Sequence, residues 1–356
     1  MIFFLILFLL PVFSSCQSQP LAAYSDYRNY FYIWDNGTAR QVEYLPVKEF
    51  KINYNTVFYY DNTGILKVYR NGTVSKVGTR NNQLLAVTDN LAVIGSGSIL
   101  SVFDNGKLSE LSINPGRWSV SDSIVVFMDN LTGYFKMYYN GKITELEDAL
   151  LENPVTGYTV GKNIFAYHNR FKEYKIFYRD SFYSPVTWGD MIRCSAGRNI
   201  LGFWDNNDLT FKIFYKGEIF PVENEQPAAF SAGDDILAYI LKGGNFRIYY
   251  DGKIIEILPF RPDFYKVEDG LVVFGEKSQF KCFSKGKSYT LENFIPSTYK
   301  YDGNSVVWLD QSGYLKSFYN GAIETITIEK IKTWDLIRDV IMYTTLSNEN
   351  HVVVNK

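Results

Sequence analysis

Histidine is nearly missing: His168 and His351 are the only two in 356 residues, which excludes a His-rich metal centre. Cysteine is almost as scarce. Cys16, Cys194 and Cys282 are too few for a disulfide framework in a chain of this length. Cys194 ("MIRCSAG") and Cys282 ("QFKCFSKG") fall in strand-like stretches far apart, and read as buried free thiols. No run of Lys or Arg occurs, and the net charge is −2 with a pI near 5.9. Electrostatics therefore gives no ground for nucleic acid or anionic lipid as a ligand. No apolar run is long enough to cross a bilayer as a helix. The longest, "IFFLILFLLPVF" at residues 2–13, has the length of a signal-peptide core, although no Lys or Arg precedes it. The expectation is an exported protein with a cleaved signal peptide over residues 1–18 and one folded unit over 19–356.

What the chain has in quantity is aromatic residues, 28 Tyr and 27 Phe, which favour strands. An apolar content of 46% is enough for a sizeable core, so disorder is not expected. The stretch "KMYYNGKITEL" (136–146) reads as one hairpin, since Asn-Gly suits a type I′ turn with positive φ at both central residues. Nearly the same stretch returns as "FYIWDNGTA" (31–39), "LKVYRNGTV" (66–74), "LSVFDNGKL" (100–108) and "FKMYYNGKI" (135–143). It continues as "YKIFYRDSF" (174–182), "FKIFYKGEI" (211–219), "FRIYYDGKI" (246–254), "FKCFSKGKS" (280–288) and "LKSFYNGAI" (315–323). Successive spacings are 35, 34, 35, 39, 37, 35, 34 and 35. The second turn residue is Gly in every copy except Asp180, and Asp tolerates the left-handed region.

Three residues before that position stands an aromatic, from Trp34 and Tyr69 to Phe283 and Phe318, and its neighbour is mostly aliphatic. Adjacent strand residues point to opposite faces, so each hairpin strand is apolar on both and its sheet must be covered on both sides. A second unit precedes each hairpin, as in "WSVSDSIVVFMD" (118–129): a short strand, a tight Asp/Asn/Gly turn, then an aliphatic–small–aromatic strand. The aromatic is Tyr59, Phe127, Tyr167, Phe203, Tyr239, Phe274, Trp308 or Tyr343, with Ile94 the exception and Tyr24 the first copy. We name the aliphatic–small–aromatic strand A, the hairpin strands B and C, and the strand leading into the next A strand D. Four short strands per ~35 residues, repeated radially, make a β-propeller.

"VSDSIVVFMDNLTGYFKMYYNGKITEL" (120–146) resembles the repeats of WD40-like and TolB-type propellers, without the Gly-His and Trp-Asp signatures of true WD40 repeats. The fold class expected is all-β: a single propeller of about nine (8–10) four-stranded blades. The C-terminal strands 339–356 are expected to close the ring by completing or replacing part of blade one. "FSSC" (13–16) resembles a lipobox, with Phe13 where Leu is usual. Lipidation of Cys16 and plain cleavage before Gln17 or Gln19 both remain open.

Strand order puts the D–A turns and B–C hairpins on one face. Their tight, near-identical turns argue against an elaborate pocket there. The A–B and C–D loops, which are more variable, lie on the other. Lys recurs five residues before the turn position, at Lys67, Lys136, Lys175, Lys212, Lys281 and Lys316, with Arg247 in the same place. A cationic ring suggests an anion site. The preferred reading pairs these heads with acids ending strand A: Asp61, Asp129, Asp205, Glu276 and Asp310. The Asp-box of sialidases is absent, and Asp and Glu fall mainly on repeat positions, whereas catalytic carboxylates should break the repeat. "GSGS" (95–98) and "WDNNDL" (204–209) read as turns rather than a nucleophile elbow or a calcium loop. No catalytic residue, cofactor or metal ligand is assigned, and the chain is expected not to be an enzyme.

Symmetry breaks at "EDALLENPVT" (147–156), which adds Leu150 and Leu151. The odd hairpin "YRDSFYSPVTW" (178–188) adds Phe182, Tyr183 and Trp188. In repeat proteins such insertions map to loops and often to the binding face; drift in a tolerant loop is the competing explanation. These five residues are the candidate partner-binding set. The resemblance implies a protein-interaction scaffold in the cell envelope, periplasmic or associated with the outer membrane, with membrane contact only through lipid on Cys16. The Lys/Asn/Tyr/Phe/Ile-rich composition is similar to that of exported proteins of the Bacteroidota. It extends the likeness to the propeller plug subunit of the type 9 secretion translocon, which implies a disc docking onto or capping an outer-membrane channel. A glycan-binding, lectin-like propeller is the alternative, and a propeller hydrolase ranks last.

Overall fold

The computed structural model describes residues 21–53, 55–78, 81–146, 158–186 and 193–355. Every recurring hairpin turns through two residues of positive φ, from Asn36 (46°) and Gly37 (94°) to Asn320 (50°) and Gly321 (91°). The exception obeys the same rule, with Arg179 at 47° and Asp180 at 62°. Blade 4 shows the complete unit: D (Pro115–Ser121), A (Ile124–Asp129), B (Tyr134–Tyr139) and C (Lys142–Leu146). These pair antiparallel in the order D-A-B-C, so each D strand belongs to the sheet of the A strand that follows it.

There are ten sheets among the described residues, not about nine. Blade 1 has A (Leu21–Ser25), B (Phe31–Asp35) and C (Thr38–Glu43), and no D strand among the described residues. Blade 10 has D (Ile331–Ile337), A (Val340–Thr345) and B (Asn350–Val354), without a C strand. The C-terminal strands therefore do not complete blade 1. Residues 331–337 and 340–345 are joined by a two-residue turn, and that local pairing costs far less loop-closure entropy than reaching back across the chain. Blade number follows the ten A strands rather than the nine hairpins.

The D strands face the axis: those of neighbouring blades touch, while the C strands are the most exposed of each sheet and form the rim. The core lies between blades rather than within them. Tyr174, Ile176 and Tyr178 of blade 5 pack on Leu201, Phe203 and Phe214 of blade 6, and equivalent clusters repeat around the ring. At the small position of strand A, a Cβ on Gly202 would collide with Leu237 of blade 7. Blade-to-blade spacing thus depends on the aliphatic–small–aromatic pattern. Cys282 is fully buried and Cys194 half-buried, and neither is bridged.

The recurring cations pair as expected. Lys136 reaches Asp129 at 2.7 Å and Lys212 reaches Asp205 at 2.7 Å. Lys67 lies 3.2 Å from Asp61, Lys316 3.3 Å from Asp310, and Lys281 pairs with Glu276. In three blades the same cation also reaches the preceding blade's C strand: Lys67 to Glu43, Arg247 to Glu223 and Lys316 to Glu292. The A-strand aromatic donates to that same carboxylate, at 3.0 Å from Tyr59, 2.7 Å from Tyr239 and 3.1 Å from Trp308. Burial works to raise the Asp61 carboxyl, but hydrogen bonds from Thr63, the Ile65 amide and Lys67 outweigh it and hold it at about 2. In these three blades the cation is an interblade clasp, whereas Lys136, Lys175, Lys212 and Lys281 pair within their own blades.

Candidate functional site

The D–A turns converge on the axis and carry a charged hub that the repeat pattern does not announce. Their tips hold Asp89, Asp122, Lys162, Arg198, Asp234, Asp269 and Arg338, from blades 3 to 8 and 10. Neighbouring turns are joined through backbone, Ser123 N–H to Lys162 O at 3.1 Å and Asn199 N–H to Asp234 O at 2.9 Å. Such contact requires glycine at Gly161 and Gly197, where a Cβ would overlap the next turn's backbone. Across the axis, Arg338 of blade 10 meets Asp89 of blade 3 at 2.7 Å. Arg198 lies 3.1 Å from Asp234, 3.3 Å from Asp122 and 3.7 Å from Asp89. Lys162 pairs with Asp269 and lies 3.4 Å from Asp234. These contacts tie opposite sides of the ring together at this end.

Six carboxylates (the four above, with Glu268 and Asp302) meet three cations. Burial, reinforced by the Asp89 charge, pushes the Asp122 carboxyl up to about 6 against Arg198, Lys162 and Arg338. Burial likewise raises Glu268 and Asp302. A raised acid binds protons in the folded state that the unfolded chain, near 3.9, does not hold. The Asp122 contribution therefore favours folding less as pH rises from about 4 through about 6, and its cost is complete above that. Asp122→Asn should raise the melting temperature at pH 7.5 relative to wild type and leave it nearly unchanged at pH 4. Melting curves across that range check it; a lower Tm at pH 7.5 would show that the Arg198 pairing outweighs the desolvation.

A cavity of about 890 Å³ lies on this same face, where the sequence argued against one. Its walls include Leu21 of blade 1, Asn53 of blade 2, and Ile337, Arg338 and Asp339 of blade 10, so it lies where blades 10, 1 and 2 meet. Tyr250, Tyr319, Asn36 and Asn304 also line it. Among the described residues no group of three His, Cys, Asp or Glu is placed to hold a metal ion.

The opposite face carries exposed apolar loop tips. In three consecutive A–B loops, Leu131 of blade 4 is 63% exposed, Phe171 of blade 5 is 59% and Leu209 of blade 6 is 62%. Leu209 also holds φ +56°, at the loop position filled by Gly64, Gly133, Gly244 and Gly313 in blades 2, 4, 7 and 9 and by the polar Asn29, Lys172 and Asn348, also at positive φ, in blades 1, 5 and 10. A leucine there pays a backbone penalty of about 1–2 kcal/mol and projects into water.

Of the five sequence candidates, Phe182 and Tyr183 fall among the described residues and have different surroundings. Leu150, Leu151 and Trp188 lie outside the described residues, as does Cys16. Phe182 begins the blade 5 C strand beside the B–C turn, 45% exposed against Phe177, and so belongs to the hub-side rim rather than to the loop face. Tyr183 is half-buried against Phe214 of blade 6 and serves interblade packing. The residues the sequence reading missed are Leu131, Phe171 and Leu209, and the signal for the last was a leucine in a Gly register.

A family model for the 10-bladed beta propeller domain matches residues 15–355. No curated protein sequence matches the chain. Among solved structures the chain is similar to the computationally designed Ika8 protein (16% identity, TM-score 0.35, covering 76% of this chain and 95% of that one). It is also similar to the CRINKLY WD40 ectodomain of the Arabidopsis thaliana receptor kinase ACR4 (8%, 0.36, 76% and 92%). A third likeness is to Prp20p from Saccharomyces cerevisiae (11%, 0.30, 59% and 74%).

Proposed function

The chain belongs to the ten-bladed β-propeller family, and on that premise we propose that it is a non-enzymatic docking scaffold of the cell envelope. It holds a protein partner on the loop face of blades 4–6. The observation that carries this reading is Leu209, an apolar side chain kept in solvent at a positive φ where four sister loops use glycine and three others a polar residue. Strain retained at an exposed position points to selection for something other than folding. Leu131 and Phe171 extend the same arc. The C strands of blades 4 and 5 end on the same side, at Leu146 and Val186. The partner that suits this arc is the apolar surface of an outer-membrane secretion or assembly complex.

The chain's entry point supports that orientation. Leu21 begins the blade 1 A strand at the hub face, opposite Asp35 and the B–C turn. Four residues, 17–20, lie between Cys16 and Leu21, five steps with a reach of at most about 18 Å. A lipid on Cys16 therefore holds the hub face toward the bilayer and turns the loop face away from it. The test exploits the backbone cost. Leu209→Gly should stabilise the fold by about 1 kcal/mol and at the same time weaken capture of the partner by affinity purification from the native envelope. Stabilisation with undiminished capture removes Leu209 from the interface.

A further inference from the structure

We infer that the hub-face trough across blades 2–4 is a binding site for a neutral carbohydrate, gripped by side-chain amides. The site is independent of the loop-face arc, which lies at the other end of the ring. The D–A turns form an inner circle and the B–C turns an outer one, and a cavity of about 270 Å³ opens between them. Its inner wall is Asn53, Asn55 and Thr56 of blade 2, Asn90 of blade 3 and Ser123 of blade 4. Its outer wall is Arg70 of blade 2, Asp104 and Asn105 of blade 3, and Tyr139 and Asn140 of blade 4. That volume is close to the lower limit of small-ligand pockets, about 300 Å³.

Charge and hydrogen bonding narrow the ligand. One cation and one carboxylate leave the walls without net charge, and both are engaged. Arg70 donates to the Asn105 carbonyl at 3.1 Å, and Asp104 accepts from the Tyr138 hydroxyl at 2.7 Å and from Asn105 Nδ2 at 2.9 Å. The first residue of the B–C turn is Asn71, Asn105 or Asn140 in blades 2–4, but Arg179, Lys216, Asp251 or Lys285 in blades 5–8, so the turn tips are uncharged here. Side-chain amides both donate and accept, as sugar hydroxyls do. Asn53 points most directly to a ligand. It lines the cavity while only 6% exposed, its Oδ1 accepts the Asn55 N–H at 3.3 Å, and its Nδ2 has no partner among the described residues. An amide donor withdrawn from bulk water without a partner is a cost that a ligand hydroxyl in the cavity removes. Asn90 commits only its Nδ2, to Ser123 at 3.2 Å, and so keeps its oxygen open. Leu91, Phe103 and Tyr139 supply the apolar part of the lining, which suits the C–H face of a pyranose.

The probe is an array of neutral glycans printed beside glycans that carry uronic or sialic acids, read with the fluorescently labelled full chain. At least one neutral glycan should retain the protein tenfold above the acidic set. Asn90→Ala combined with Asn140→Asp should lower that retention at least tenfold at an unchanged melting temperature. Asn90 is exposed, and Asp251 already fills the Asn140 turn position in blade 7 at φ 49°, so neither change disturbs the fold. A diazirine derivative of the best-retained glycan should label peptides carrying residues 53–56, 90–91 or 103–105; if the double variant melts lower, this labelling decides alone. No retention by neutral glycans, preference for the acidic set, equal retention of the double variant, or labelling elsewhere would overturn the inference.

Discussion

Arg198→Ala is expected to cost about 3–5 kcal/mol of stability, the largest loss for any single charged residue in this ring. Arg198 is the one cation that faces Asp89, Asp122 and Asp234 together. Removing it leaves Asp122, already pushed up to about 6 by burial, with only Lys162 and Arg338 to oppose its desolvation. The loss is one of closure as well as of charge, because Asp89 belongs to blade 3 and Asp234 to blade 7. Since Asp122 is buried, the effect should persist in 0.5 M salt, where exposed pairs are screened. Arg198→Lys keeps the charge but loses the planar fork, and should fall between wild type and alanine. Denaturant melts of the three proteins decide it. A loss below about 1 kcal/mol would mean that solvent screens the hub like any surface pair.

Trp308→Ala should cost a comparable ~3–5 kcal/mol by a different route. Trp308 is fully buried in the blade 9 A strand, packs near Phe280 of blade 8, and donates its indole N–H to Glu292 on the blade 8 C strand. Alanine opens a cavity at the interblade seam and leaves Glu292 held by Lys316 alone. Trp308→Tyr should recover most of the stability, because Tyr59 and Tyr239 make the same bond to Glu43 and Glu223 in sister blades. Trp308→Phe should recover the packing only. If Tyr and Phe melt alike, the hydrogen bond to the preceding blade adds nothing to the clasp.

Local sequence determined most of what could be read before the structure. The Asn-Gly turns, the doubly apolar strands and the pairing of Lys67, Lys136, Lys212, Lys281 and Lys316 with strand-A acids depend on residues a few positions apart. Blade number was less legible because, among the described residues, blades 1 and 10 each show three strands, so hairpins and A strands count differently. The hub escaped because Asp89 and Arg338 meet only once the ring has closed, and no short-range pattern links them. Of the expected partner-binding residues, Phe182 and Tyr183 are neighbours in sequence but not on one face. Strand alternation sends Phe182 to the rim and Tyr183 into the interblade seam.

Docking through the loop face is tested most directly by site-specific photo-cross-linking in the native envelope. Benzoylphenylalanine would replace Phe171 on the blade 5 loop or, in a second protein, Lys285 on the hub face. The account predicts one protein cross-linked from position 171 and none of that protein from position 285. Cross-linking of the partner from position 285 alone, or from neither position, would contradict it.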